Sequence, residues 1–370
     1  MKLTIDRNAL MRALSHVQSV VERRNTIPIL SNILLSAHGD RLKLTATDLD
    51  LEATDSVAAK IKTEGDITAP AQTLFDVVRK LPDGADIRLE MDKSQLKVIA
   101  GRSDYKLKTL PAADFQTMSR EEAPTKFEIP AADLRRLIDK TRFAISTEET
   151  RFYLNGIYLH HDKGANGPVL RAVATDGHRL ALADADAPSG SAGLKGVIIP
   201  RKAVGEVRRL LDDAPETVTV HASDSKIVFM VGEATLTSKL IDGTFPDYKR
   251  VIPKENQRIC TLENKDFKDA VDRVSTVSAE RSRSVKMSLS ADKVTLSVSH
   301  SETGEGVEEI DAQYDGEEME IGFNAKYLLD VSQQIESDTI RFELQDAASP
   351  ARVLDAADAG VQFVLMPLRV

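Results

Sequence analysis

Apolar residues recur three and four apart in three stretches of this chain, each directly after a short alternating run. Lys2-Leu-Thr-Ile-Asp6 leads into Leu10, Leu14, Val17 and Val21. Lys126-Phe-Glu-Ile-Pro130 leads into Leu134, Leu137, Ile138 and Thr141, and Arg258-Ile-Cys-Thr-Leu262 leads into Phe267, Val271, Val274 and Val277. Each stretch predicts a strand, a turn and an amphipathic helix. Leu10 and Leu134 are 124 residues apart, and Leu134 and Phe267 are 133 apart. A second helical pattern keeps step over 71–81, 200–211 and 324–334, opened by Pro70, Pro200 and Asn324 at intervals of 130 and 124 residues. Strands follow it at 87–91, 218–220 and 340–344. A period this long is that of a whole domain, so the chain reads as one domain written three times.

Between the helices the pattern has period two, as in Arg41–Thr47, Thr217–Val220 and Lys293–Ser299. Such runs predict strands, separated by turn signals such as His38-Gly39-Asp40 and Met91-Asp92-Lys93. Each repeat thus predicts about eight strands and two helices, an α+β domain. Polar connectors around 116–125 and 249–257 set the expected domains at 1–120, 126–252 and 256–370. Both connectors are short, so the domains are expected to pack in a fixed relation.

Composition narrows the class. Hydrophobic residues make up 42% of the 370, enough for a core in each repeat, and with no Trp these cores rest on aliphatic side chains. One cysteine, Cys260, excludes an internal disulfide and fits a reducing compartment as a small buried hydrophobe. No apolar run approaches membrane-spanning length, and the N-terminus lacks a signal-peptide core, so a soluble cytoplasmic protein is expected. Net charge is −9. Its distribution matters more than its sum. The six helical segments with their flanks (6–24, 71–81, 131–151, 200–211, 264–286 and 324–334) hold 22 Lys and Arg against 13 Asp and Glu, a net +9 that leaves −18 on the remainder. If the helices share one face, that face is positive.

Six helices per chain also bear on closure. At roughly 10 Å of circumference each, twelve helices from two chains enclose a hole roughly 38 Å across, while six enclose roughly 19 Å. A DNA duplex is about 20 Å wide, judging from its groove depths. A closed ring from this chain therefore favours two copies.

Catalytic constellations are missing from the sequence: no G-x-G-x-x-G, phosphate loop, G-x-S-x-G, C-x-x-C or H-E-x-x-H. His160 and His161 are adjacent on a strand and point to opposite faces. Asp176 and His178, in Ala174-Thr-Asp-Gly-His-Arg-Leu180, are the remaining acid–base candidates. Thr45-Ala-Thr-Asp48 occupies the same place in the first repeat without a histidine, so Thr-Asp reads as a strand end and turn shared by the fold. Gly177-His178-Arg179 then reads as a local elaboration for binding.

Several segments together resemble the bacterial β sliding clamp family, the processivity subunits of the replicative DNA polymerase III. They are Thr26-Ile-Pro-Ile-Leu30, Leu110-Pro-Ala-Ala-Asp-Phe115, Tyr153-Leu-Asn-Gly156, Ala174–Leu180, Phe245-Pro-Asp-Tyr-Lys-Arg-Val251 and Val364-Leu-Met-Pro-Leu-Arg-Val370. The resemblance covers the whole chain. It implies a head-to-tail homodimer, a ring of six similar domains with helices inside and sheets outside. It implies no catalysis and no cofactor or metal. The ring would encircle duplex DNA without reading sequence and tether the polymerase α subunit, the clamp loader and other clamp-motif proteins.

By the same resemblance, a peptide cleft between the second and third domains takes Leu154, Thr175, Gly177, His178, Arg179, Leu180, Pro246, Arg250, Val251, Tyr327, Val364, Met366, Pro367, Leu368 and Arg369. Its Leu, Val, Met and Pro residues supply an apolar floor, with Arg and His at the rim. DNA-facing candidates are Arg24, Tyr153, Lys202 and Arg209. The dimer is expected to pair Tyr105 and Leu107 with Thr276 and Val277, and Arg102, Lys106 and Lys108 with Glu302, Glu305, Glu308 and Glu309. Three positions depart from the family pattern: Glu148 on an inner loop, Pro350 where a small hydroxyl residue is common, and Asp104 on an otherwise basic edge strand. Two rival readings remain: a repeat-built peptide-binding scaffold with no DNA role, and an enzyme centred on Asp176 and His178.

Overall fold

The computed structural model describes residues 1–22, 26–119, 122–277, 284–301 and 304–369. Six α-helices stand among the described residues where the periodicity places them: α1 Arg7–Val17, α2 Ala71–Lys80, α3 Ala131–Thr141, α4 Arg201–Leu210, α5 Asn264–Ser275 and α6 Ala325–Ser332. Their entries are built locally. The Asp6 carboxylate accepts the Ala9 N–H at 2.9 Å, and Asn324 caps α6 through the Lys326 N–H. Such caps satisfy amides that have no partner within the helix. Pro70, Pro130 and Pro200 stand directly before α2, α3 and α4, where a fixed φ suits entry and no backbone donor is lost. The apolar stripes are buried: Leu10, Leu14 and Val17 on α1, Phe267, Ala270, Val271 and Val274 on α5. The helices stop at Val17, Thr141 and Ser275, before the last apolar residue of two of the three patterns, and tighter turns follow the first two.

Among the described residues the strands pair antiparallel throughout and form three sheets of five, eight and twelve strands. Alternation holds in Lys293–His300 as far as Val298, with Val294, Leu296 and Val298 buried. In Arg41–Thr47 it fails after Leu44, because Thr45, Ala46 and Thr47 are all buried.

Contacts divide the chain into two compact units, Met1–Arg135 with Pro188–Leu194 and Lys202–Leu240, and Arg136–Ala187 with Lys195–Arg201 and Ile241–Val370. The first unit holds the five- and eight-stranded sheets and the second the twelve-stranded one. This division cuts through the middle repeat because two strand pairings cross repeat boundaries. Leu51–Ala58 of the first repeat pairs with Ala234–Lys239 of the second, Leu51 opposite Ser238. Arg179–Asp186 of the second pairs with Val361–Leu365 of the third, Leu180 opposite Val364.

Candidate functional site

In the second unit, the strand pair Arg179–Asp186 and Val361–Leu365 is preceded by a turn fixed by its own side chains. Thr175 Oγ1 donates to the Arg179 carbonyl at 2.6 Å and accepts the Gly177 N–H at 3.0 Å. Asp176 Oδ1 accepts the His178 and Arg179 N–H groups at 2.9 and 3.0 Å. Gly177 has φ +89°, a left-handed conformation that favours glycine, and a Cβ there would meet the movable end of Arg151 at 2.5 Å. Asp176, the supposed acid, is thus an acceptor that shapes a turn.

The turn presents His178 outward and sends Arg179 inward. The expectation put Arg179 at the rim; the structure buries it, with 5% of the side chain exposed. Its guanidinium donates to Asp176 Oδ2 at 3.1 Å, Asp330 Oδ2 at 2.5 Å and the Phe143 carbonyl at 2.6 Å. It lies 4.4 Å from the Tyr327 ring centroid and 5.1 Å from that of Phe143. Arg179 therefore holds the half-buried Tyr327 in place from below.

Leu154, Leu180 and Val364 are buried together with Val173, Leu182, Ile198, Phe245 and Tyr248 in one cluster. The segments that carry Tyr248 and Val364 continue into exposed apolar side chains, Val251 at 49% and Met366 and Leu368 at 39% each. The C-terminal segment is held by its backbone: Met366 N–H donates to the His178 carbonyl at 2.9 Å and Leu368 N–H to the Gly322 carbonyl at 2.8 Å. Two depressions of about 540 Å³ each open here. One joins Arg250, Val251, Ile252, Pro350 and Met366. The other joins Phe143, His178, Arg179, Asn324 and Tyr327. Pro246, Arg250 and Arg369 are exposed, Pro367 is half-buried, and Thr175 is buried within the turn. Sequence reading missed Phe143, Ile252, Asn324 and Asp330. They lie at helix ends and in a connector, and only the Tyr327 and Arg250-Val251 motifs nearby pointed toward them.

The first repeat repeats the turn. Thr47 Oγ1 donates to the Leu51 carbonyl, Asp48 accepts from Asp50 and Leu51, and Leu49 takes φ +78°. Lys239 N–H donates to the Asp50 carbonyl at 2.8 Å, as Met366 does to His178. The chemistry differs: Lys239 Nζ pairs with the Asp50 carboxylate at 2.8 Å where the other junction has Met366 and His178.

Lys202 and Arg209 lie in the first unit and both already meet acids. Lys202 pairs with Glu22 at 3.0 Å and closely with Asp48. Burial opposes the Lys202 charge, but these carboxylates outweigh it and hold its pKa above the ordinary lysine value. Arg209 bonds Glu206 and Ser19. Tyr153, in the second unit, is half-buried against the floor cluster. Arg24 lies outside the described residues. Glu148 pairs with Arg151 at 2.7 Å.

Ser103–Lys108 is the edge strand of the five-stranded sheet, with Arg102, Tyr105 and Lys106 exposed and Leu107 turned into the core. In the second unit, residues 304–311 pair with Lys293–His300 on one side, and only 312–314 pair with Arg258–Glu263 on the other. Among the described residues this leaves an acidic edge carrying Glu305, Glu308 and Glu309 beside Val307, which is 64% exposed. Glu308 and Glu309 are held by Arg273 and Lys293 of the same chain. Thr276 is exposed and Val277 half-buried at the end of α5; Glu302 lies outside the described residues.

Among the described residues no group of three His, Cys, Asp or Glu side chains is placed to hold a metal, and no helix is long and apolar enough to cross a membrane. Burial pushes the Cys260 thiol up to about 12, so it stays protonated.

Comparison with known proteins fits each repeat. The family models for the N-terminal, central and C-terminal domains of the DNA polymerase III beta subunit match residues 1–119, 128–247 and 249–369. The "Beta sliding clamp" of Caulobacter vibrioides is 58% identical and that of Escherichia coli 38%, each aligned over the full length of both chains. A crystal structure of the DNA polymerase sliding clamp from Caulobacter crescentus superposes with a TM-score of 0.95 at 57% identity, covering all of both chains. That of a sliding clamp from Bartonella birtlesii, bound to griselimycin, gives 0.98 at 48% with the same coverage. The chain belongs to the bacterial β sliding clamp family, the non-catalytic beta subunits of DNA polymerase III.

Proposed function

We propose that two copies of this chain close head to tail into a ring of six domains around duplex DNA, in the cytoplasm, and that the cleft on each copy tethers replication proteins. We place the chain's three domains at 1–120, 126–252 and 256–370, on the repeat pattern and the polar connectors between repeats. The observation that carries ring closure is the pair of sheet edges with opposite charge. The basic edge strand Ser103–Lys108 belongs to the first repeat and the acidic edge at 304–311 to the third. Head-to-tail pairing of such edges extends one sheet into the next and removes both open edges. Three repeats per chain make the rotation close at two chains.

The cleft suits a short peptide with two or three apolar side chains, the docking segment of a polymerase α subunit, a clamp loader or another clamp-motif protein. Leu154, Leu180, Val251, Val364 and Met366 form its apolar part, His178, Arg250 and Tyr327 its polar margin, and Arg179 supports it from beneath. Tethering replaces repeated encounter by a local concentration in roughly the millimolar range.

Ring topology has a direct readout. The protein stays on nicked circular DNA after loading and runs off when the same DNA is linearised; equal loss from both forms overturns encirclement. The inner-surface residues have a second readout. Replacing Lys202 and Arg209 by Gln lowers the slope of log affinity against log salt by about 0.9 for each phosphate that is no longer neutralised. Glutamine is chosen because a glutamate at 202 would stand beside Asp48 and Glu22. An unchanged slope removes these residues from the DNA-facing surface.

A further inference from the structure

Behind one wall of the cleft lies a charged network that none of the cleft residues themselves require. Tyr248 belongs to the buried floor cluster, and its hydroxyl sits 3.0 Å from His160 Nε2, 3.3 Å from Asp162 Oδ2 and 3.4 Å from Arg171 Nη1. Arg171 donates to Asp162 at 2.5 Å and grips both oxygens of Asp184 at 2.6 and 2.7 Å. Lys249 Nζ reaches Asp162 at 2.8 Å. Strand pairing places these groups side by side, with Arg171 opposite both His160 and Asp184. The Tyr158 ring stacks between Phe245 at 4.9 Å and His160 at 4.6 Å, so the column runs from the cleft floor into the network.

The turn Tyr248–Arg250 carries the cleft wall, with Pro246 before it and Val251 after it. Its backbone hydrogen bonds are local: Tyr248 to Pro246, Arg250 to Asp247 and Val251 to Tyr248. Side chains therefore fix the turn to the sheet, and Asp162 receives two consecutive ones, Tyr248 and Lys249. Asp162 and Arg171 are 14% and 12% exposed in their side chains. Ion pairs at such depth add little to stability, because desolvation offsets attraction, but they specify one geometry. Burial alone would raise the Asp162 pKa; Lys249 and Arg171 outweigh it and hold the carboxyl at about 2, while burial raises Tyr248 to about 12. The hydroxyl thus donates to the Asp162 carboxylate and accepts from Arg171 Nη1.

We propose that Asp162, braced by Arg171, is a positioning residue that sets the wall formed by Pro246, Arg250 and Val251, and so governs the ligand side chain that lies between Val251 and Met366. This rests on the cleft reading above and adds the residue that shapes one of its two halves. Sequence pattern gives no sign of the role, since Asp162 ends an ordinary strand, 84 residues or more from the wall it holds.

The test is a double-mutant cycle on the full-length protein with a Gln-Leu-x-Leu-Phe peptide, read by titration. Asp162→Asn is expected to weaken binding about tenfold, the cost of disordering a wall that charge-assisted bonds hold. Val251→Ala, on the wall, and Tyr327→Ala, in the other depression, each weaken binding too. The loss from Asp162→Asn overlaps that from Val251→Ala, so the double variant is little worse than either single one, and it multiplies with that from Tyr327→Ala. A general loosening of the protein would multiply with both. Losses that multiply with Val251→Ala, or undiminished binding by Asp162→Asn, overturn the positioning role while leaving the cleft intact. Undiminished binding by both Val251→Ala and Tyr327→Ala overturns the cleft and this role together. Tyr248→Phe, which removes the other side chain that Asp162 holds and leaves the Arg171–Asp162 pair in place, repeats the cycle if Asp162→Asn does not fold.

Discussion

Removing Met366 to Val370 is expected to abolish binding of a Gln-Leu-x-Leu-Phe peptide while leaving the protein dimeric. Met366 is the exposed apolar side chain on the Val251 depression, and its N–H ties the segment to the His178 carbonyl. An anchor in a desolvated pocket costs about 2 kcal/mol or more when truncated, roughly thirtyfold in affinity. Leu180→Ala with Met366→Ala is expected to do the same. Leu180 is 3% exposed and shares the floor cluster with Leu154 and Val364, so that variant also leaves a cavity costing about 2–5 kcal/mol of stability. A thermal melt beside each titration separates the two effects, because the deletion leaves the floor cluster in place. Truncated protein that binds the peptide as tightly as the intact chain moves the partner site elsewhere.

Charge reversal at Arg102 and Lys106 is expected to convert the dimer into monomers at micromolar concentration. Both side chains are exposed on or beside the edge strand Ser103–Lys108 and would face the acidic edge of a second copy. Two like-charge juxtapositions cost on the order of 3 kcal/mol at each interface, and a ring of two chains has two such interfaces, so the dimer dissociation constant rises by roughly ten-thousandfold. Glu305→Lys on the same chain is the matched rescue, since its carboxylate is exposed, whereas Glu308 and Glu309 are held by Arg273 and Lys293. Light scattering reads both steps. A reversed-charge variant that remains dimeric, or a wild-type chain that forms an open-ended series, excludes this edge-to-edge ring.

The helices were legible because an apolar stripe must repeat every three or four residues to be buried, and Leu10, Leu134 and Phe267 announce it three times. The pairings that join repeats were not. Nothing local in Leu51–Ala58 or Ala234–Lys239 names its partner, because register between remote strands depends on which faces are buried after assembly. Arg179 misled for a related reason: beside Gly177 and His178 it reads as a surface residue, and its partner Asp330 is 151 residues away. Leu49 shows the limit of glycine as a turn signal. It adopts the left-handed conformation that Gly177 adopts in the next repeat, and only the shared Thr-Asp sequence before it reveals the equivalence.

The two junctions of the chain share a turn yet differ at the positions facing outward: Met366 and His178 at one, a paired Lys239 and Asp50 at the other. Sixfold architecture therefore does not bring sixfold valency. On the proposed function, and among the described residues, each chain would offer one berth of this apolar kind, and a closed pair two. Clients outnumbering those berths must take turns, so the order in which they work on a primer terminus is set by how quickly each lets go rather than by how quickly each arrives.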